Sequence, residues 1–397
     1  MNPPGHILVA GASAAGLGTA EALRRKGYEG RLTLVGEEPE PPYDRPPLSK
    51  QVLSGAWEPD RARLRTAEAL DALDATFLLG DPAVALDVAA RGVRTASGRT
   101  VTADAVVVAT GAAPRRLPGQ DGLRGVHVVR TVGDAMALRA ALTGARRAVV
   151  IGDGVLGAET AATARLMGPD VVLAGPQPAP MTAQLGPLAA GRLAALHTRH
   201  GVRLRTGVLL DALLSRDGEV TGVRLSDGEE HPADVVVAAV GCAPGTAWLA
   251  GSGLTLDDGV VCDAYCRAAE GIWAVGDVAR WHHLGLGRTL RLENRTNAGE
   301  QALAVAGNIL GDERPYLPVP YFWTDQYDVK IQVYGLPSAD ARAEAVEGDP
   351  AEGRFVVRYD GARGPVGVLG WGMPRQTRLH RASLVDHYTR PLEPTAT

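Results

Sequence analysis

Two glycine-rich loops combine residue types and spacing that suit them to bind a phosphate group. The first is GASAAG at residues 11–16, and the second is GDGVLG at residues 152–157. Each follows an apolar run directly and opens a stretch with helical character, which is the context that makes such a loop credible. Backbone N–H groups at a helix start hold a pyrophosphate, and glycines let the backbone come close to it. The two loops therefore predict two dinucleotide sites.

The elements that must position these loops form the same strand–helix–strand unit twice. In the first unit we expect a strand at 6–10, a helix at about 14–26 and a strand at 32–36. In the second we expect a strand at 148–151, a helix ending near Met167 and a strand at 171–174. Apolar runs of this length, flanked by glycine and separated by helices, are typical of buried parallel strands.

The sequence thus predicts an α/β protein with two doubly wound, Rossmann-like dinucleotide-binding domains, the first interrupted by the second. We expect the first domain to comprise residues 1–111 and 240–317, and the second residues 112–239. After about residue 318 the aromatic residues cluster and apolar residues alternate with polar ones. This alternation indicates antiparallel strands, so residues 318–397 are expected to form a C-terminal α+β domain.

Composition excludes several classes of function. The chain has 397 residues with 41 basic and 45 acidic side chains, a net charge of −4, so it lacks the basic field of a nucleic-acid-binding protein. No apolar run approaches the ~18 residues of a membrane span, and no signal peptide is evident. Three cysteines argue against a disulfide framework. We expect a cytoplasmic protein, monomeric or homodimeric, that binds neither nucleic acid nor membrane.

The residues after each second strand differ between the two units. Glu37 is placed to accept a hydrogen bond from a ribose hydroxyl, which suits an adenosine without a 2′-phosphate, as in FAD or NAD. In the second unit the matching position is taken to be Gly175, and Asp153 is expected to put a carboxylate beside the pyrophosphate. These features predict a first loop that binds its nucleotide well and a second that binds nicotinamide dinucleotide weakly or not at all.

Several further motifs identify a family. The chain resembles the FAD-dependent ferredoxin reductases of oxygenase systems, the putidaredoxin-reductase-like branch of the pyridine-nucleotide flavoprotein superfamily. Apart from the first loop and Glu37, the resemblance is carried by YDRPPLSK at 43–50, ATG at 109–111, AVGDVA at 274–279, RLE at 291–293 with Asn297 and Ala298, FWTDQYD at 322–328 and, more weakly, WGMP at 371–374.

The resemblance implies roles for individual residues. Lys50, paired with Glu159, is expected beside the flavin ring together with Trp323, and these three are the expected catalytic residues. A cation there would stabilise the reduced flavin. The expected FAD-binding residues are Gly11, Ser13, Ala14, Ala15, Gly16, Glu37, Arg45, Lys50, Val84, Ala109, Thr110, Gly111, Arg130, Gly276, Asp277, Arg295 and Ala298. The expected NAD(P)H-binding residues are Gly152, Gly154, Val155, Leu156, Gly157 and Gly241.

Two functions of different class follow from these motifs. The first is an NAD(P)H-dependent reductase that passes electrons singly to a [2Fe–2S] ferredoxin of a P450 or ring-hydroxylating oxygenase, with Arg288, Arg291, Arg295 and Lys330 as candidate docking residues. The second is a repurposed flavoenzyme acting on a small organic molecule. It is motivated by Gly175, Ala179, Val155 and Asp153, which depart from the nicotinamide-binding pattern of the family. A flavin-bound interaction protein without turnover is a third hypothesis. We expect no metal site, because the three cysteines are scattered and His282–His283 has no further ligands nearby.

Overall fold

A computed structural model of the chain describes residues 3–337 and 340–390. The strands, in chain order, are β1 (His6–Ala10), β2 (Arg31–Val35), β3 (Ala75–Leu78), β4 (Ala83–Asp87), β5 (Gly92–Thr95), β6 (Thr100–Thr102), β7 (Ala105–Val108), β8 (Ala112–Pro114), β9 (Val126–His127), β10 (Arg147–Ile151), β11 (Asp170–Gly175), β12 (Arg203–Thr206), β13 (Leu210–Arg216), β14 (Glu219–Leu225), β15 (Glu230–Pro232), β16 (Val235–Ala238), β17 (Cys242–Pro244), β18 (Val260–Cys262), β19 (Arg267–Ala269), β20 (Ile272–Ala274), β21 (Ala279–His283), β22 (Arg288–Leu290), β23 (Tyr321–Gln326), β24 (Val329–Gly335), β25 (Arg342–Asp349), β26 (Arg354–Gly361) and β27 (Gly364–Trp371).

The helices are α1 (Ala14–Arg25), α2 (Ala67–Asp71), α3 (Val132–Gly144), α4 (Val155–Met167), α5 (Thr182–Arg199), α6 (Arg295–Ile309), α7 (Pro374–His380) and α8 (Val385–Thr389). Short 3₁₀ turns lie at Pro46–Ser49, Pro59–Ala62, Ala247–Leu249, Gly276–Val278, Pro350–Glu352 and Arg381–Leu384.

The first sheet has the order β19-β20-β7-β1-β2-β3. Its strands are parallel except for the edge strand β19. Strand β1 is wholly buried at the centre, as the apolar run HILVA predicts, and α1 packs beside α6. Because β20 comes from late in the chain, this sheet is assembled from two separate stretches of sequence.

The second sheet, in the order β12-β11-β10-β16-β9, is parallel throughout. The glycine-rich loop after β10 opens α4, just as the loop after β1 opens α1. The two expected strand–helix–strand units are therefore confirmed, with bounds that differ from the predicted ones by at most one residue. Short antiparallel sheets (β4-β5-β6 and β13-β14-β15) lie outside both units and were not predicted.

The third sheet is antiparallel, in the order β23-β24-β27-β26-β25, and α7 and α8 follow it. Its inner face forms one apolar cluster with α4 and α5, which includes Leu193 of α5 together with Ile331, Phe355 and Leu369 of the third sheet. The α+β character expected of the C-terminal part is confirmed, and the sheet reaches the second unit directly. Residues 391–397 of the predicted C-terminal domain lie outside the described part of the chain.

Candidate functional site

The two glycine-rich loops share one backbone arrangement. Gly11 has a φ of 120° and Gly152 a φ of 109°, values that only glycine adopts without strain. A Cβ at Gly11 would overlap the carbonyl oxygen of Ala109, and one at Gly152 would overlap that of Ala239. Each loop is thus held between the end of its own strand and a neighbouring strand, which aims the start of the following helix at the sheet edge.

The start of α1 is free to receive an anion. Its N-cap residue Ser13 makes no side-chain capping hydrogen bond, and no acidic residue lies in the first turn. Gly276 packs against this start, because a Cβ there would lie 2.9 Å from Cβ of Ala15 and 3.8 Å from that of Ala298. The 276–277 motif is therefore brought to the first loop, as the resemblance implies.

Charged groups from three segments converge beside the first loop. Arg130 Nη2 lies 3.4 Å from Asp277 Oδ2, and Arg45 donates to the backbone oxygen of Arg130. Arg45 also forms an ion pair of 2.6 Å with Glu38. Burial raises the pKa of Asp277, and the adjacent Arg130 guanidinium opposes that rise. The arrangement offers guanidinium donors suited to a phosphate and a carboxylate suited to a hydroxyl.

Lys50 and Glu159 form a buried ion pair, as the resemblance implies. Lys50 Nζ lies 2.7 Å from Glu159 Oε2, with side chains that are 11% and 6% exposed. The same oxygen accepts a 2.6 Å hydrogen bond from Ser49 Oγ, and the other carboxylate oxygen accepts one of 2.7 Å from Thr324 Oγ1. Glu159, on helix α4 of the second unit, is therefore bonded both to the 3₁₀ turn that ends at Ser49 and to strand β23 of the third sheet.

A chain of buried hydrogen bonds continues from Thr324. Its hydroxyl accepts a hydrogen bond of 3.1 Å from Gln326 Nε2, and Gln326 Oε1 lies 2.8 Å from His197 Nε2. Tyr327 Oη lies 3.4 Å from the other ring nitrogen of His197. When His197 is neutral and carries its proton on Nε2, each group in this chain donates to the next one toward Glu159: His197 to Gln326, Gln326 to Thr324, and Thr324 to Glu159. This polarity fits an ionised Glu159 that accepts from every neighbour.

His197 makes the stability of this region depend on pH. Burial is the main cause that lowers its pKa from 6.5 to about 4. Between pH 6.5 and 4 the unfolded chain binds a proton that the folded chain does not, so stability falls as the pH falls, by ~1.4 kcal/mol per pH unit at most. We predict that His197→Gln shows a smaller drop in the thermal midpoint from pH 7 to pH 5 than the wild type. An identical drop would contradict a neutral buried His197.

The second loop differs from the sequence-based expectation in where its carboxylate points. Asp153 Oδ2 accepts a hydrogen bond of 2.9 Å from Gln177 N, and Oδ1 accepts one of 3.0 Å from Gln177 Nε2. The carboxylate therefore turns toward the end of β11. The prediction that it lies beside the pyrophosphate was wrong, because Gly175 has no side chain to occupy that space and Gln177 supplies two donors.

Comparison with known proteins identifies the family. The sequence model of the pyridine nucleotide-disulphide oxidoreductases matches residues 5–302, and that of the reductase C-terminal domain matches residues 321–395. The chain belongs to the pyridine nucleotide-disulphide oxidoreductase family. This confirms the resemblance and makes the chain an FAD-dependent oxidoreductase that works with NAD(P)H.

Several relatives match this family member over nearly their whole length. Rhodocoxin reductase of Rhodococcus erythropolis is 36% identical over 391 residues, which cover 98% of this chain and 91% of the relative. The ferredoxin–NAD(+) reductase component of the anthranilate 1,2-dioxygenase system of Burkholderia cepacia is 36% identical, covering 88% and 86%. A solved covalent complex of putidaredoxin reductase with putidaredoxin contains a chain that is 31% identical, with a TM-score of 0.91 and coverage of 99% and 95%.

The residues of the first unit fit FAD. A Cβ at Gly11 would overlap a backbone oxygen, so only glycine fits at this position of the loop. The uncapped start of α1 offers backbone N–H groups to a pyrophosphate. Glu37 is exposed at the end of β2, where a ribose would need an acceptor. When bound, FAD accepts an electron pair and releases single electrons. Lys50 and Glu159 would then hold a fixed positive charge and its counter-charge at the flavin.

The remaining predicted FAD contacts are dispersed around the first unit. Thr110 Oγ1 donates a 2.7 Å hydrogen bond to the oxygen of Gly245, and Gly111 lies against Arg130. Arg295 forms a 2.6 Å ion pair with Asp44. Val84 is 38% exposed on β4. Trp323 stacks on Tyr321 with ring centroids 6.0 Å apart, on the face of β23 opposite to Thr324.

Among the candidate docking residues, Arg291 was predicted wrongly. Its side chain is 12% exposed and forms ion pairs with Asp258 and Glu293, so it is occupied within the protein. Arg288 is exposed, and Lys330 is 48% exposed although paired with Asp325. Arg295 is 31% exposed and paired with Asp44, so Arg288, Arg295 and Lys330 remain candidates for contact with a partner.

Apart from Lys50, sequence reasoning missed the hydrogen-bond partners of Glu159 and the residue that continues from them. Ser49, Thr324 and Gln326 lie within motifs that carry the family resemblance, but no role was assigned to them. His197 had no sequence signal, since it lies inside a helix without a motif. Within residues 3–337 and 340–390, no helix is long and apolar enough to cross a membrane, and no cluster of three or more His, Cys, Asp or Glu side chains is arranged to hold a metal ion.

Proposed function

We propose that the chain is an FAD-dependent NAD(P)H:ferredoxin reductase that delivers electrons singly to a [2Fe–2S] ferredoxin serving a P450 or a ring-hydroxylating oxygenase. The observation that carries this proposal is similarity over the whole chain, including the C-terminal sheet, to a reductase captured together with its redox partner. Full-length relatives named as reductases favour this function over the repurposed flavoenzyme that Val155 and Gly175 motivated.

The domain boundaries and site residues are part of the same proposal. We propose FAD binding by residues 1–111 and 240–317, dinucleotide binding by residues 112–239, and partner contact by residues 318–397. The first two assignments are supported by two separate parallel sheets, each with a glycine-rich loop. Cytoplasmic location is proposed because Cys242, Cys262 and Cys266 are all free thiols. We propose a monomer or a homodimer.

The partner proposal is tested by reversing charges at the candidate docking residues. With NADH and an acidic [2Fe–2S] ferredoxin, the double variant Arg288→Glu/Lys330→Glu should reduce kcat/KM by about tenfold at low salt and flatten its salt dependence. The mechanism is loss of electrostatic steering, so the rate with ferricyanide, a small acceptor, should be unchanged.

The control variant is Arg216→Glu, which reverses one exposed charge on β13, within the residues proposed for dinucleotide binding. It should leave ferredoxin reduction as in the wild type. If Arg288→Glu/Lys330→Glu keeps the wild-type salt profile, these two residues do not contact the partner.

A further inference from the structure

Asp153 is a buried carboxylate without a cationic partner. The residue is 4% exposed, and its two oxygens accept hydrogen bonds from the backbone and side chain of Gln177 alone. Among the described residues it forms no ion pair. Gln177 is held in turn, because its Oε1 accepts a 2.7 Å hydrogen bond from Ala183 N. The Asp153 carboxylate is therefore held in place at the end of β11.

The two strand–helix–strand units can be aligned residue by residue through their hydrogen bonds. Gly11 N donates to Val35 O at 2.7 Å, and Gly152 N donates to Ala174 O at 2.8 Å. By this register Gly175 is equivalent to Gly36, and Pro176 to Glu37. The predicted match of Gly175 to Glu37 is therefore displaced by one residue, and neither position in the second unit carries an acid.

The carboxylate missing from the strand end is present on the loop instead. Asp153 is equivalent to Ala12, whose Cβ would lie 2.9 Å from a Cβ at Gly36. In the second unit a Cβ at Gly175 would lie 2.5 Å from both carboxylate oxygens of Asp153. The side chain thus fills the space next to the strand end, where the adenosine ribose of a dinucleotide binds in this fold.

We propose that Asp153 is the specificity-determining residue of the donor site and selects NADH against NADPH. The inference rests on the proposed function, whose donor it specifies. NADPH carries a 2′-phosphate with nearly two negative charges at pH 7, and a carboxylate at the ribose position repels it. Because Asp153 is shielded from solvent and has no cation beside it, salt and water screen this repulsion only partly.

The preference for NAD⁺ over NADP⁺ can be measured in the wild type and in a variant that lacks the Asp153 carboxylate. Binding of NAD⁺ and of NADP⁺ to the oxidised, FAD-loaded protein is measured by isothermal titration calorimetry, which needs no turnover. We expect the wild type to bind NAD⁺ at least about tenfold more tightly than NADP⁺. Asp153→Asn should reduce that ratio to about threefold or less, mainly by tighter binding of NADP⁺.

A second pair of variants separates charge from loop structure. Asp153→Ala removes the carboxylate, and Asp153→Ala/Pro176→Glu reproduces the arrangement of Ala12 and Glu37 in the first unit. The single variant should lose the preference for NAD⁺, and the double variant should regain it. Asp170→Asn, at the exposed opposite end of β11, is the matched control and should keep the wild-type ratio.

Two results would overturn the inference while leaving the proposed function intact. One is a wild type that prefers NADP⁺, and the other is an Asp153→Asn protein whose ratio equals that of the wild type. If neither dinucleotide binds to the FAD-loaded wild type, the proposed function fails, and the inference fails with it.

Discussion

A Gly11→Ala protein should be purified without bound flavin. The added Cβ would overlap the carbonyl oxygen of Ala109 and would lie 3.0 Å from Thr110 N, at a φ of 120° that alanine rarely adopts. Both atoms belong to the backbone directly after β7, the strand next to β1 in the first sheet, so neither can move easily. The loop would have to move, and the start of α1 would no longer face the pyrophosphate. Flavin content, read from the ratio of absorbance at 450 nm to that at 280 nm, is the measurement.

Two other glycines provide matched controls. Gly98→Ala also has a positive φ, 86°, but a Cβ there meets nothing within 4 Å, so this variant should retain its flavin. Gly152→Ala repeats the overlap in the second loop and should retain FAD while losing affinity for NAD(P)H. Full flavin occupancy in Gly11→Ala would show that the first loop is not the FAD site.

The Glu159→Ala substitution is expected to lower the free energy of unfolding strongly. Glu159→Ala leaves the Lys50 ammonium buried without a counter-charge and removes the acceptor of Ser49 and Thr324. Removing one member of a buried ion pair typically costs ~3–5 kcal/mol of unfolding free energy. Urea-induced unfolding should show this loss. The double variant Lys50→Met/Glu159→Met should be less destabilised, because it buries no unpaired charge.

The Lys26–Asp312 ion pair is the control for this prediction. Its N–O distance is also 2.7 Å, but its side chains are 31% and 43% exposed. Asp312→Ala should therefore change stability little, since solvent screens exposed pairs. Equal destabilisation by Glu159→Ala and Asp312→Ala would mean that burial of the Lys50–Glu159 pair has no energetic consequence.

Local patterns predicted the parts of the fold that depend on short stretches of sequence. Both glycine loops, their strands and their helices follow from apolar runs and from positive-φ positions that only glycine fills easily. The Lys50–Glu159 pair was predicted only through the family resemblance, because nothing in the spacing of two residues so far apart in the chain indicates contact.

Features set by long-range packing could not be predicted. The hydrogen bonds from Thr324 through Gln326 to His197 depend on how the third sheet packs against α4 and α5. The direction of the Asp153 side chain depends on the missing Cβ of Gly175 and on the donors of Gln177, which lie on another strand end. Arg291 was misassigned for the same kind of reason, because one of its acidic neighbours, Asp258, comes from a separate segment.

The most direct test of the account is anaerobic stopped-flow mixing of the FAD-loaded protein with NADH, followed by mixing with an oxidised [2Fe–2S] ferredoxin. We expect rapid, saturable loss of flavin absorbance, and then its return as the ferredoxin is reduced. NADH at millimolar concentration that leaves the flavin oxidised, while dithionite reduces it normally, would contradict the account.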